Sequence, residues 1–175
     1  MGERREPKAG VAAEQTTGLD PITGLGRSVA ALVIGRSAGE RESVARALHR
    51  AHHGADGAFL RIQAAQEEPL FRQAIESWLN AGPPTGDSPR LLDRLQQGSL
   101  FLDQVEALGS DSQKLLLVFL DRNEDGSEAW KGQLITGSER SLHGAVKEGR
   151  FDENLALRLE RVRIVLDPEQ AGPDR

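Results

Sequence analysis

The sequence predicts a three-layer α/β/α sandwich built on a five-stranded, mostly parallel sheet. Two observations predict it. Short apolar runs alternate with amphipathic stretches of helical period along most of the chain. The run Val29 to Ile34 is continuous in apolar character, as suits a strand buried on both faces. In such sheets ligands sit beyond the carboxyl ends of the strands.

The elements follow in order. Residues 1–20 mix charge, Gly, Ala and Thr without periodicity and are expected to form a disordered tail. Asp20 to Gly26 is turn-like. Val29 to Ile34 is an apolar run read as a buried strand. Arg41 to about His52 is helical, with Val44, Ala45, Ala47, Leu48 and Ala51 along one side. Ala58 to Ile62 is a short strand. Glu67 to Asn80 is a helix whose wide stripe contains Leu70, Phe71, Ala74, Ile75, Trp78 and Leu79. Ala81 to Pro89 carries Gly-Pro-Pro and Thr-Gly-Asp and reads as loop. Ser99 to Val105 is a strand. Ser110 followed by Gln113 reads as a capping box opening a helix to about Leu120. Asp121 to Lys131 is loop or a weak hairpin. Gln133 to Thr136 is a strand, Leu142 to Glu148 and Glu153 to Leu159 are short helices, and Val162 to Leu166 is the last strand. Residues 168–175 form a second loose tail, which leaves 21–167 as the folded domain.

Composition limits the function classes. A chain of 175 residues fits one domain with a real core. The net charge is −5, and basic residues are scattered among acidic ones, so no direct nucleic-acid partner is expected. There are no cysteines, which excludes disulfides and thiolate metal sites. Runs such as Leu115 to Leu120 are too short to span a bilayer, and no signal peptide is visible, so a cytoplasmic location with no membrane partner is the default.

Chemistry is concentrated in two segments. Gly35-Arg-Ser-Ala-Gly-Glu-Arg-Glu42 follows a predicted strand and opens a helix, the setting of a phosphate-binding loop. That pattern, G-x-x-x-x-G-K-[ST], uses backbone N–H groups and a Lys to surround phosphates. Gly35 fills the first glycine position, but Glu40 stands at the last glycine, Arg41 at the lysine and Glu42 at the hydroxyl position. With Ser37 and Gly39 these residues are the candidate cofactor-binding set. The reading is a loop that keeps its shape and loses its charge logic. A carboxylate at position 40 repels phosphate by an amount on the order of several kcal/mol at an effective dielectric of about 20. Arg41 keeps the charge as a larger planar fork. Glu40 and Arg41 are candidates to pair with nearby groups and fill the site themselves.

The second segment is Gly98-Ser-Leu-Phe-Leu-Asp-Gln104, a buried strand that ends in a carboxylate. Asp103 stands where nucleotide hydrolases hold magnesium. Gln104 stands where an attacking water would be polarised, and it cannot take a proton. Three weaker patterns are set aside. Asp121 to Gly126 starts like a calcium loop, but Gly132 replaces the closing Glu, so a polar turn is expected. His49, His52 and His53 lack a second ligand cluster and read as a solvated helix end, so no metal is assigned. Gly24-Leu-Gly26 precedes a strand and does not support a dinucleotide fingerprint.

Together these segments resemble the AAA+ core of sigma-54-dependent transcription activators, also called bacterial enhancer-binding proteins. That family carries G-E-S-G-T-G-K-E then L-V-A-R-A-I-H; this chain has G-R-S-A-G-E-R-E then S-V-A-R-A-L-H. The family's G-T-L-F-L-D-E corresponds to Gly98 to Gln104. Its A-T-N-x-D-L and V-x-E-G-x-F-R-x-D-L-x-x-R-L correspond to Gly137 to Leu142 and Val146 to Leu159. The resemblance runs from about Val29 to Leu166 and implies the P-loop NTPase fold with the AAA+ strand order.

It also implies roles for residues, several of which depart from the family. The sensor Asn aligns with Glu139. Of two arginines that act on a neighbour's nucleotide, one aligns with Asp152 and the other survives as Arg158. The G-A-F-T-G-A loop that touches the sigma factor is at best Ala81 to Gly86. The helical lid and DNA-binding domain of the family find no counterpart, and with a single arginine left an oligomeric ring is not expected. The resulting expectation is a pseudo-ATPase that works in transcription regulation by binding a protein, either transcription machinery or a regulator. No cofactor is assigned: ATP with magnesium is what the pattern would take, and the departures count against it. The alternatives are an active or nucleotide-sensing P-loop protein in which Arg41 replaces the lysine, and a decayed fragment without a role.

Overall fold

A computed structural model describes residues 30–80, 90–124 and 130–166. The two expected tails, the 24–26 pattern, the 81–89 loop with the 81–86 segment, and residues 125–129 lie outside the described residues.

Among the described residues five strands form one sheet: β1 (Ala31–Ile34), β2 (Phe59–Gln63), β3 (Ser99–Asp103), β4 (Gln133–Ser138) and β5 (Val162–Val165). Their spatial order is β2-β3-β4-β1-β5, and every neighbouring pair is parallel. β1 and β4 sit inside the sheet and are buried along their whole length, which explains the unbroken apolar run of β1. Period-2 alternation sorts the side chains to two faces. Leu32, Ile34, Ile62, Leu100, Leu102 and Leu134 belong to the larger core, while Ala31, Val33, Phe101 and Ile135 face the other side.

Helix α1 (Ala38–His53) supplies Ala45 and Leu48 to the smaller core. The opposite layer holds α2 (Ala64–Asn80), α3 (Leu91–Arg94), α4 (Ser110–Glu124), α5 (His143–Lys147) and α6 (Glu153–Leu159), which contribute to the larger core. Phe71, Ile75, Leu116, Phe119 and Leu155 are buried in it. Burying each such side chain contributes roughly 1.5–3 kcal/mol.

Several expectations are corrected. Helix α1 begins three residues early, at Ala38, because Ser37 caps it: its Oγ accepts from Glu40 N at 3.3 Å. Its buried stripe is Arg41, Ala45, Leu48 and His49; Ala47 and Ala51 are exposed. Helix α2 begins at Ala64, with a kink at Glu67 two residues before Pro69. Leu70 is exposed and does not join the stripe. Strand β3 stops at Asp103, because Gln104 turns left-handed (φ 56°) into a 3-10 turn, Val105–Ala107. The capping box at Ser110 does not form. The Gln113 amide instead donates to Leu108 O and Arg150 O, and its oxygen accepts from Asp152 N. Helix α4 runs on to Glu124, so Asp121 to Glu124 are helical and form neither a calcium loop nor a turn. Asn123 holds that end, donating to Phe119 O and accepting from Trp130 N. Helix α3 was not anticipated; its four residues are too few for a periodic signal.

Candidate functional site

The carboxyl ends of β1, β2, β3 and β4 lie together, with Ile34 opposite Ser138 and Gln63 opposite Asp103. Helix α1 crosses above them, and its buried face matches β3 residue by residue. Arg41 meets Asp103, Ala45 and Phe101 share one core, and His49 meets Ser99.

Arg41 is the organising side chain. It is fully buried, as is Asp103. Its Nε donates to Asp103 Oδ1 at 2.7 Å and its Nη2 to Oδ2 at 3.1 Å, a bidentate fork. Its Nη1 donates to Gly35 O at 2.5 Å and Arg36 O at 3.2 Å. Arg61 on β2 adds a second guanidinium to Asp103 Oδ2 at 3.2 Å. Glu42, at the hydroxyl position of the pattern, pairs with Arg46 at 2.7 Å and approaches Arg61 at 3.7 Å.

Of the two residues expected to fill the site, Arg41 does so and Glu40 does not. Glu40 is exposed in the first turn of α1 and has no ion pair among the described residues. Its carboxylate there complements the helix dipole. The loop does not keep the expected shape either. With α1 starting at Ala38, only Gly35, Arg36 and Ser37 connect strand to helix. Gly35 N donates to Ser138 O at 3.1 Å, Glu40 N is taken by Ser37 Oγ, and Arg41 N by Ser37 O at 3.1 Å. Gly39 is exposed, and its carbonyl accepts from Ser43 Oγ at 2.8 Å. A nucleotide's phosphates and magnesium need free N–H groups and a free carboxylate. Here the N–H groups of Gly35, Glu40 and Arg41 have partners within the chain, and the Asp103 carboxylate is engaged by Arg41 and Arg61, so the site as arranged has no free carboxylate for magnesium.

Around Asp103 the remaining candidates form a polar chain. Gln63 donates to Gln104 Oε1 at 2.7 Å, and Gln104 donates to Glu139 Oε1 at 3.1 Å. Glu139 N donates to Glu106 Oε1 at 2.8 Å. Burial pushes the Glu106 carboxyl above its ordinary range, opposed by the Glu139 N–H. Gln104 is the one non-glycine residue with positive φ among the described residues, a conformation that disfavours side chains and that its two partners hold.

Arg158 and Asp152 lie apart from this cluster. Arg158 Nη1 pairs with Asp121 at 2.5 Å and Glu124 at 3.4 Å, joining α6 to α4. Asp152 caps α6 through Leu155 N at 2.9 Å. The histidines do not gather into a metal site, and no group of three possible ligands exists among the described residues. His49 is buried and not solvated as expected: Nδ1 lies 2.9 Å from Ser99 Oγ and Nε2 3.1 Å from Gly57 O. None of the described helices is long and apolar enough to cross a membrane.

Sequence reasoning missed Arg61, Gln63 and Glu106. The signal for the first two was period 2. Phe59, Arg61 and Gln63 alternate with Leu60 and Ile62, so both polar residues face α1 beside Asp103. Glu106 carried no signal, since it reaches the site through the left-handed turn at Gln104.

A parallel sheet in this order, with a strand-loop-helix unit at β1 and an Asp ending β3, defines the P-loop NTPase class of α/β domains. Comparison narrows it. The family model described as the Sigma-54 interaction domain matches residues 22–165. The C4-dicarboxylate transport transcriptional regulatory protein DctD of Pseudomonas aeruginosa is 32% identical over 156 residues, covering 82% of this chain and 33% of that protein. The regulatory protein AtoC of Escherichia coli is 31% identical over 149 residues, 78% of this chain and 32% of that protein. Among solved structures, NtrX from Brucella abortus matches with a TM-score of 0.63 at 23% identity, over 91% of this chain and 37% of the other. The P-loop NTPase domain of a sigma-54 transport activator from E. coli matches with a TM-score of 0.56 at 18% identity, over 83% and 94%. The chain belongs to the sigma-54 interaction domain family, the AAA+ core of sigma-54-dependent transcription activators. It spans about a third of the length of these two regulatory proteins.

Proposed function

We propose that this domain acts in transcription regulation by binding another protein, transcription machinery or a regulator, without hydrolysing ATP. The observation that carries the reading is the Arg41 guanidinium, which lies between the β1–α1 loop and Asp103 and engages both. A magnesium ion would need the Asp103 carboxylate that Arg41 and Arg61 hold. A phosphate would meet the exposed carboxylate of Glu40 at the helix start. Gln104 has no basic group to offer a water, and Arg158 is occupied within its own chain. The family and the names of the relatives, a transcriptional regulatory protein and a regulatory protein, support the regulatory half of the reading.

The test is turnover of ATP by the purified chain with magnesium. No phosphate release above the protein-free rate, and no heat on calorimetric titration to millimolar ATP, is the expected result. Magnesium-dependent turnover abolished by Asp103→Ala would overturn the reading, and micromolar ATP affinity would favour a nucleotide-binding domain with Arg41 as the lysine. The regulatory half is tested by adding the chain to sigma-54-dependent transcription driven by an intact activator. An altered transcript yield supports it, and an unchanged yield at large excess refutes it.

A further inference from the structure

We infer that the loop between β1 and α1 has become a guanidinium-binding site, filled in cis by Arg41. The inference rests on the reading that this loop takes no phosphate, and adds what it takes instead. Binding polarity decides the matter. A phosphate site presents donors to its centre. Here the groups converging on the centre are all acceptors: the Gly35 and Arg36 carbonyls on one side and both Asp103 oxygens on the other. Two N–H groups flanking the loop are turned elsewhere, Gly35 N onto the Ser138 carbonyl and Glu40 N onto the Ser37 hydroxyl. Four acceptors around one buried, planar, five-donor cation satisfy Nε, Nη1 and Nη2 together. An ammonium offers three tetrahedral donors and cannot match the two parallel bonds to Asp103.

The site is built by scaffold as well as by Arg41. Gly137 faces Asp103 from the neighbouring strand, and a Cβ there would lie 2.5 Å from Oδ1, so glycine leaves room for the carboxylate. Arg61 holds Oδ2 from the other side. The cradle therefore has walls from β1, β2, β3 and β4, and removal of the Arg41 side chain leaves a cavity lined by carbonyl and carboxylate oxygens.

Chemical rescue tests this. Arg41→Ala is expected to lower the Tm by about 10 °C, because a buried carboxylate loses its principal partner. Millimolar methylguanidinium chloride should then raise the Tm of the variant and leave the wild type unmoved. Tetramethylammonium chloride at equal ionic strength, and inorganic phosphate, should not raise it. Absence of selective rescue, or rescue by phosphate, overturns the inference. Should Arg41→Ala fail to fold, the wild-type chain decides by NMR. A slowly exchanging Arg41 Nε–H resonance, unchanged by phosphate, is expected; fast exchange with water overturns the inference. These readouts are separate from ATP turnover. Absent rescue with no turnover defeats the guanidinium site alone, and turnover defeats the functional reading.

Discussion

Arg41 and Asp103 stand 62 residues apart in the chain and meet through two parallel hydrogen bonds, in full burial. This contact joins the first turn of α1 to the end of β3. It places a cation and an anion together at the position where the class handles nucleotide.

The first prediction concerns this pair. A buried ion pair adds little over a well-packed apolar pair, but losing one partner costs about 3–5 kcal/mol. Asp103→Ala should therefore destabilise by that amount in urea denaturation, since it strands Arg41. Arg61 limits the loss in the reverse case, so Arg41→Met should be milder. The double variant Arg41→Met with Asp103→Leu should be less unstable than the sum of the single changes. Strict additivity would show that the two side chains are not coupled.

A second prediction follows from where α1 begins. Restoring the pattern with Glu40→Gly and Arg41→Lys replaces side chains but leaves Ser37 capping at Ala38. The N–H groups of residues 40 and 41 remain engaged by Ser37, and Asp103 keeps its contact with Arg61. No calorimetric heat with magnesium and millimolar ATP is expected. Micromolar binding by this variant would show that the loop reopens once Arg41 is gone.

The contrast between loop and scaffold shows what the sequence made legible. β1 was readable because it is a short apolar run, and the order of motifs along the chain identified the sheet. Asp103 was readable because it ends such a run. Arg41 was readable as a change of residue type, but not as the partner of Asp103, since ion pairing across 62 residues leaves no periodic trace. The early start of α1 was missed because the expected loop spanned 35–40, although Ser37 is an ordinary cap for a helix at Ala38. The roles of Gln113 and Asn123 escaped for a similar reason: their partners, Arg150, Asp152 and Trp130, lie beyond the ends of their own helix in sequence.

A third prediction uses pH. Burial lowers the His49 pKa below its ordinary 6.5, with the cations of Arg46 and Arg50 adding to the effect and the Gly57 carbonyl opposing it. The carbonyl of Gly57 can only accept, so in the neutral ring Nε2 carries the hydrogen. The unfolded chain binds a proton at His49 first as pH falls. Its contribution is thus complete above pH 6.5 and is lost as pH falls from 6.5 towards the folded value. Glu106 has the opposite sign. Its folded pKa is raised above 4.5, so stability present below 4.5 is lost as pH rises through the folded value. Urea midpoints between pH 7.5 and 5.5 should fall for the wild type and fall less for His49→Asn. Parallel slopes for the two proteins would exclude His49 as the source.

The last prediction concerns Gly137, opposite Val33 in β4. A methyl group there would lie 2.5 Å from Asp103 Oδ1 and 3.0 Å from two carbons of the Phe101 ring. Neither neighbour can yield freely. Phe101 is fully buried against α1, and Asp103 is fixed by three hydrogen bonds from two arginines. Gly137→Ala should destabilise by about 1–3 kcal/mol, the usual penalty for overpacking a filled interior. It should also disturb the Arg41 fork selectively, because the shortest contact falls on the oxygen that accepts from Nε. In hydrogen exchange, amides near Gly35 and Gln104 should lose protection before those of α4. A variant as stable as the wild type, with unchanged exchange in both regions, would show that β4 can shift away from β3 and that the carboxylate is less tightly held than its contacts imply.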